Sequence, residues 1–180
     1  MRLTHTFSGA VLAFSLAFAA SPVTHAAPAR AADLAAFRSF TLSEGFLDKW
    51  KAIQQDSVKD PCNLGVASLL AGDDEQSLEQ MAASYDAQPG VHAMLERHGL
   101  SAREYLVGSF TMLAAGVQDM AKQHPEMVEK GYIQASPAGA VSEANMAFYH
   151  QHQADVMQLM QKLGQQTLSA NGGHMPDCAG

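Results

Sequence analysis

One apolar stripe on a long helix constrains the fold of this chain more than any other feature of its sequence. Five large apolar residues follow one another at offsets of 4, 3, 4 and 3, which places them on a single face of an α-helix. They are Leu106, Phe110, Leu113, Val117 and Met120. We therefore predict a helix from Ala102 to about Lys122 whose stripe packs against other helices.

The start of that helix has the clearest boundary signal in the sequence. Gly99 suits the left-handed backbone conformation in which many helices end. Ser101 and Glu104 then form a capping-box pattern, in which the hydroxyl and the carboxylate each satisfy a backbone N–H group. A second pattern of this kind, Thr41 with Glu44, predicts the first helix of the fold.

The other segments predict an all-α fold, a compact bundle of about four main helices with shorter ones. Residues 63–71 are apolar enough for a short buried helix, and a buried strand is the alternative that periodicity leaves open. Helical spacing continues from Ser142 to about Gln165. No alternating run rich in Val, Ile or Thr predicts a strand. We assign residues 41–180 to one helical domain with a loop-like tail from about residue 166.

The N-terminal residues are organised as a secretory signal peptide. Arg2 precedes an apolar run and then small residues around Ala26. We predict a signal peptide over 1–26 and a linker over 27–40 that docks on the domain through Leu34, Phe37 and Phe40. Because the apolar run is too short to span a bilayer, we expect a periplasmic or secreted protein without a membrane anchor.

The two cysteines of the chain, Cys62 and Cys178, lie far apart in the sequence. In an oxidising compartment, such a pair indicates one structural disulfide. In the chain-entropy model the long closed loop would stabilise the fold by about 4 to 5 kcal/mol before strain. Two free thiols, or a bridge to another chain, are the alternatives.

Charge and motif content exclude several classes of function. The formal net charge is −7 and no run of Lys or Arg occurs, so we expect no binding of nucleic acid. We find no GxSxG, SxxK or HExxH motif, no phosphate-binding glycine loop and no calcium loop. An enzyme would need catalytic residues that meet only in the folded chain.

Two polar residues lie in the apolar face of the last long helix. Asn145 and His152 are seven residues apart, so they share a face, and Phe148 lies between them. A buried amide or imidazole must be hydrogen-bonded, which leaves two interpretations, a core network or the polar end of a pocket. We include Tyr105 of the long helix among the candidate pocket residues.

Metal and haem binding are weaker hypotheses for this sequence, and we expect no resident cofactor. His174, Met175 and Cys178 together suit Cu(I), provided that the cysteine is not in a disulfide. His152 with Met112 is the one pair that we consider for axial ligation of a non-covalent haem.

Several of these segments together resemble a known kind of protein. They are Phe40-Thr41-Leu42 before the first helix, residues 99–105 at the start of the long helix, and Asn145, Phe148 and His152 on the last helix. This pattern resembles small secreted all-helical proteins of Gram-negative bacteria. The resemblance implies an exported helical fold and no particular activity.

From these observations we expect a non-catalytic periplasmic or secreted binding protein. Its partner would be another protein or a small apolar ligand, bound near Asn145 and His152 and the long connection at 123–141. A metal or haem carrier is the second hypothesis, and an enzyme is the third.

Overall fold

The computed structural model describes residues 31–59, 76–133, 141–170 and 172–174. These residues form seven α-helices and no β-strand, which confirms the all-α prediction. The helices are α1 (Ala31–Ser39), α2 (Glu44–Asp56), α3 (Leu78–Asp86), α4 (Pro89–Arg97), α5 (Ala102–Gln123), α6 (Pro125–Glu129) and α7 (Glu143–Ala170), and a 3-10 turn (Ser57–Lys59) follows α2. The predicted signal peptide, the segment 63–71 and both Cys62 and Cys178 lie outside the described residues.

Local capping explains most of the helix boundaries. Gly99 has a φ of 67°, its N–H group donates to the carbonyl of Glu96, and the next N–H group reaches back to Leu95, so α4 ends in the predicted left-handed turn. Ser101 then accepts a hydrogen bond from the N–H group of Glu104, 3.1 Å away, and starts α5 as predicted. The boundary signals are local, and they place this junction correctly.

The first helix of the predicted domain begins differently from our expectation. Ser43, not Thr41, is the N-cap of α2, and its hydroxyl accepts a hydrogen bond from the N–H group of Phe46. Glu44 therefore belongs to the first helical turn, where a carboxylate interacts favourably with the helix dipole. The capping box that we predicted for Thr41 and Glu44 is wrong by two residues.

Two segments that we predicted to be irregular are partly helical. Residues 31–39 of the expected linker form α1, and Phe37 packs edge-on against Phe110 with ring centroids 5.9 Å apart. At the other end of the chain, α7 continues to Ala170 instead of ending near residue 165. The helix stops only where Gly172, with a φ of 65°, allows the left-handed turn that closes it.

The main core lies between α2 and the first half of α5. The buried face of α2 has the helical spacing i, i+1, i+4, i+7 and i+8, and its residues are Phe46, Leu47, Trp50, Ile53 and Gln54. Two buried side-chain hydrogen bonds cross this contact, from Trp50 Nε1 to Ser109 Oγ (3.1 Å) and from Gln54 Nε2 to Tyr105 Oη (2.8 Å). Helices α1, α3 and α4 also pack on α5, which makes it the central helix.

The first half of α5 is buried on most of its sides, whereas the second half is buried on one side only. Leu106 of the predicted stripe is buried, but Leu113 and Met120 are 38% and 46% exposed. In this second half the buried residues are Ala115 and Asp119, which lie on the opposite side of the helix and continue the buried face of Tyr105, Gly108 and Met112. We expected the whole stripe to face the core, and this was wrong because α7 packs against the other side of α5.

Candidate functional site

Asn145 is a structural residue that fastens α7 to the segment before α2. Its Oδ1 accepts a hydrogen bond from the N–H group of Leu42 (2.9 Å), and its Nδ2 donates to the carbonyl of Phe40 (2.8 Å). Its own N–H group donates to Ser142 Oγ, so Ser142 caps the start of α7. Asn145 is 1% exposed, and both the oxygen and the nitrogen of its side-chain amide are hydrogen-bonded to backbone groups. These contacts agree with a core network, which is one of the two interpretations that the sequence left open.

His152 lies two turns further along α7, beside the first residue of α2. Its ring packs on Phe148 with centroids 4.4 Å apart, and its Nε2 lies 2.8 Å from Oε1 of Glu44. That oxygen lies off the direction of the ring N–H bond, so among the described residues this buried nitrogen has no hydrogen bond. His152 therefore has a charged neighbour rather than a complete polar network.

Tyr105 lies in a different part of the core from the α7 residues. Its hydroxyl accepts the hydrogen bond from Gln54, and its ring lies 6.3 Å from that of Tyr85 on α3. Burial, followed by the neighbouring Tyr85, raises the pKa of the Tyr105 phenol well above its ordinary value. Tyr105 therefore acts as a neutral core residue at the contact of α2, α3 and α5.

A polar cluster that we did not predict joins the second half of α5 to α7. We call it the Asp119 cluster, and its members are Asp119, Gln123, His150 and Gln153. Oδ1 of Asp119 lies 2.9 Å from His150 Nε2, and Oδ2 accepts from Gln123 Nε2 (2.7 Å) and Gln153 Nε2 (3.1 Å). Asp119 is only 7% exposed, so a carboxylate is buried here with three side-chain donors around it.

The cluster favours the ionised form of Asp119. Burial by itself raises the pKa of the Asp119 carboxyl, but the hydrogen bonds from His150, Gln123 and Gln153 outweigh it and lower the pKa below its usual value. The same negative charge acts on the neighbouring Tyr149, whose pKa is raised by burial and then by Asp119. Asp119 is therefore a fixed negative charge between the two helices.

This arrangement also sets the chemistry of His150. A carboxylate can only accept a hydrogen bond, so Nε2 of His150 carries a proton and Nδ1 is the remaining basic nitrogen. The side chain is 50% exposed, which leaves it accessible to solvent. No serine, threonine or cysteine hydroxyl or thiol is bonded to this ring in the described residues, so the pair lacks the nucleophile of a catalytic triad.

The sequence contained part of the signal for this cluster. Asp119 and Gln123 are four residues apart, and His150 and Gln153 are three apart, so each pair lies on one helix face. From the sequence alone we assigned no role to His150. What the sequence did not reveal is that the two pairs meet, because they are separated by about 30 residues of chain.

The residues that we considered for metal or haem do not meet in the described part of the chain. No group of three or more His, Cys, Asp or Glu side chains there is arranged to bind a metal. Met112 is buried in α5, whereas His152 lies beside Glu44 of α2. His174 is exposed, and Met175 lies outside the described residues.

Among the described residues, exposed large apolar side chains lie on the second half of α5, in the turn after α6 and on α7. Leu113, Val117 and Met120, which we call the α5 strip, lie on one face, with Val117 half-buried between two exposed residues. Tyr132, in the turn that follows α6, is 74% exposed. Exposed large apolar side chains that are grouped in this way are typical of interaction surfaces.

In comparisons with known proteins, no family model, no curated protein and no solved structure matches the chain. In the described ranges, no helix is both long enough and apolar enough to cross a bilayer.

Proposed function

We propose that this protein is an exported, non-catalytic binding protein whose partner is another protein that docks on the α5 strip. The observation that carries the proposal is the exposure of Leu113 and Met120, 38% and 46%, on one face of the central helix. The neighbouring buried side of α5 is anchored to α7 by the Asp119 cluster, which makes the strip part of a rigid surface. Rigid apolar surfaces bind partners with a small loss of conformational entropy.

A protein partner fits this surface better than a small apolar ligand. Small ligands bind in concave pockets that bury most of their surface. The strip instead is one face of a single helix, and Tyr132, in the turn after α6, is an exposed aromatic residue of the type enriched at interfaces. The pocket that we expected at Asn145 has less support, since both ends of that amide are bonded to backbone.

A binding experiment with matched variants tests this proposal. Mature wild-type protein, immobilised and exposed to extracts of the native host, should retain a defined partner that the double variant Leu113→Asp, Met120→Asp loses. Met157→Asp is the control, because Met157 is 60% exposed on α7, outside the strip. Retention by the strip variant and by the control alike would contradict the α5 strip as the docking surface.

We further propose export with cleavage after Ala26 and a disulfide between Cys62 and Cys178. The proposed bridge rests on an even pair of cysteines in a chain whose N-terminal residues have the pattern of a secretory signal peptide. Intact mass of protein recovered from the periplasm or medium should match a chain from Ala27 that lacks two hydrogens. Two free thiols after export would contradict the bridge, and a retained N-terminus would contradict the cleavage.

A further inference from the structure

Two of the methionines that the structure describes have exposed side chains. Met120 on α5 is 46% exposed, and Met157 on α7 is 60% exposed. Met112 and Met146, in contrast, are each only 7% exposed. The remaining described methionines are half-buried, and they are Met81, Met94, Met127 and Met160. Access of a dissolved reagent to the thioether should therefore differ several-fold among the methionines of this protein.

Met120 is accessible to solvent and also belongs to an apolar surface. It is the last residue of the α5 strip, and Val117 and Leu113 precede it on the same face by three and seven residues. A helical side chain leans towards the N-terminus of its helix and covers the residues three and four positions before it. The residue four positions before Met120 is Gly116, so no side chain of α5 shields Met120 on that side.

Met157 is at least as accessible but has different neighbours. The residues four positions before and four positions after it on α7 are Gln153 and Gln161, which are polar. Met157 also lies on another helix, outside the α5 strip. The two methionines therefore form a matched pair, similar in exposure and different in the surface to which they belong.

We propose that Met120 is an oxidation site through which a hydroperoxide, such as hydrogen peroxide, weakens docking on the α5 strip. The proposal rests on the function that we propose for the strip. The thioether sulfur attacks one oxygen of the peroxide, an S–O bond forms and the O–O bond breaks. The sulfur loses two electrons and becomes a sulfoxide. The other oxygen leaves with the electron pair of the broken bond, takes up the proton of the transferred oxygen and departs as water.

The product changes the strip more than it changes the fold. A sulfoxide is polar, and Met oxidation disrupts apolar interfaces of this kind. A partner would have to remove water from the new oxygen without supplying a hydrogen bond to it, which disfavours binding. Since the Met120 side chain is already 46% exposed, the added oxygen can remain in water in the unbound protein. The helix should therefore persist while the apolar surface is lost.

The order of oxidation is the first test, and it uses the full mature chain. The protein is treated with hydrogen peroxide, and peptide mass spectrometry follows the gain of one oxygen at each methionine. Met120 and Met157 should react at least about fivefold faster than Met112 and Met146. Oxidation of Met120 at the rate of the two buried methionines would overturn the proposal.

The consequence for the surface is the second test, and it uses two reciprocal variants. Met157→Leu leaves Met120 as the exposed methionine of the described residues, and Met120→Leu leaves Met157. Exchange of methionine for leucine conserves volume, so both variants should fold. A phenyl matrix serves as the apolar probe. Peroxide should reduce the retention of Met157→Leu on this matrix at least about twofold more than that of Met120→Leu. Equal losses in the two variants would contradict a specific effect on the strip.

Capture of the partner separates this proposal from the proposed function. If Leu113→Asp, Met120→Asp loses the partner but peroxide-treated Met157→Leu retains it, the strip is a docking surface and the oxidation step is wrong. If the aspartate variant retains the partner as wild type does, the docking function itself is wrong, and this inference fails with it. Loss of the partner in the aspartate variant and in oxidised Met157→Leu, with retention in oxidised Met120→Leu, is the result that we expect.

Discussion

The two halves of α5 face different surroundings although the sequence repeats the same apolar spacing in both. In the first half, Leu106 is 1% exposed, and α1, α2, α3 and α4 pack around the helix. In the second half, α7 packs against one side, where the carboxylate of Asp119 is buried, and Leu113 is 38% exposed on the other side. The first half therefore contributes its apolar residues to the core, and the second half leaves part of its apolar face exposed to solvent.

The glycines of α5 show the same difference on the scale of single atoms. A methyl group on Gly108 would overlap the buried ring of Phe46, so this glycine permits α2 to approach the first half of α5 closely. A methyl group on Gly116 would lie closest to the hydroxyl oxygen of Tyr149, at 3.0 Å, which is the far end of that side chain, and it would make ordinary contacts of 3.5 and 3.8 Å with two ring carbons. Close packing is required in the first half and is less strict in the second.

The largest expected effect is a difference in unfolding free energy between alanine variants of two leucines, which lie seven residues apart on one face of α5. Leu106→Ala should destabilise the protein by about 3 kcal/mol, because it leaves a cavity in the core. Leu113→Ala should cost less than about 1 kcal/mol, since that side chain remains partly in water. Urea unfolding of both variants measures the difference, and equal losses would show that the second half of the stripe is buried after all.

The next comparison separates two residues of α7 that the sequence presents as one polar pair. Asn145→Ala should cost about 2 to 3 kcal/mol, because it leaves the buried Leu42 N–H group and the Phe40 carbonyl without their partner. His152→Ala should cost about 1 kcal/mol, mainly through lost contact with Phe148, because its other neighbour, Glu44, is exposed. Unfolding by urea at pH 7 distinguishes them, and a near-zero loss for Asn145→Ala would argue for a hydrated pocket.

These residues also show what the sequence can and cannot predict. Gly99 and Ser101 mark boundaries through backbone geometry that depends only on neighbouring residues, and the structure has helix ends at those positions. Asn145 was recognisable as a polar residue on an apolar face, but its partners are backbone groups about 100 residues away. No side-chain pattern indicates a backbone partner at that distance.

The face of a helix that becomes buried depends on its neighbours as well as on its own spacing. In the second half of α5 the apolar stripe predicts the wrong side, because α7 packs on the side that carries Ala115 and Asp119. That packing requires a polar partner for the carboxylate, which His150 supplies from another helix. Periodicity within one segment contains no information on this contact.

A third prediction compares the two glycines of α5. Gly108→Ala should destabilise by about 1 to 2 kcal/mol, because overpacking against Phe46 exceeds the gain in helix propensity. Gly116→Ala should lie within about 0.5 kcal/mol of wild type, because a small shift of Tyr149 offsets a similar gain. Thermal melts of the two variants provide the comparison, and a stabilised Gly108→Ala protein would mean that α2 does not pack closely on α5.

The smallest expected effect concerns the acid sensitivity of the second half of α5. The pKa of Asp119 is lowered in the folded protein, so its contribution to stability is present above about pH 4 and is lost as the pH falls through the folded value. Asp119→Asn can retain the hydrogen bonds if the amides of Gln123 and Gln153 rotate, but it cannot take up a proton. Its unfolding free energy should therefore change less between pH 5 and pH 3 than that of the wild type. Asp48→Asn, a substitution at an exposed position of α2, is the matched control and should keep the wild-type slope. If both variants lose stability in acid at the wild-type rate, the Asp119 cluster contributes to packing alone, and its charge is not what joins α5 to α7.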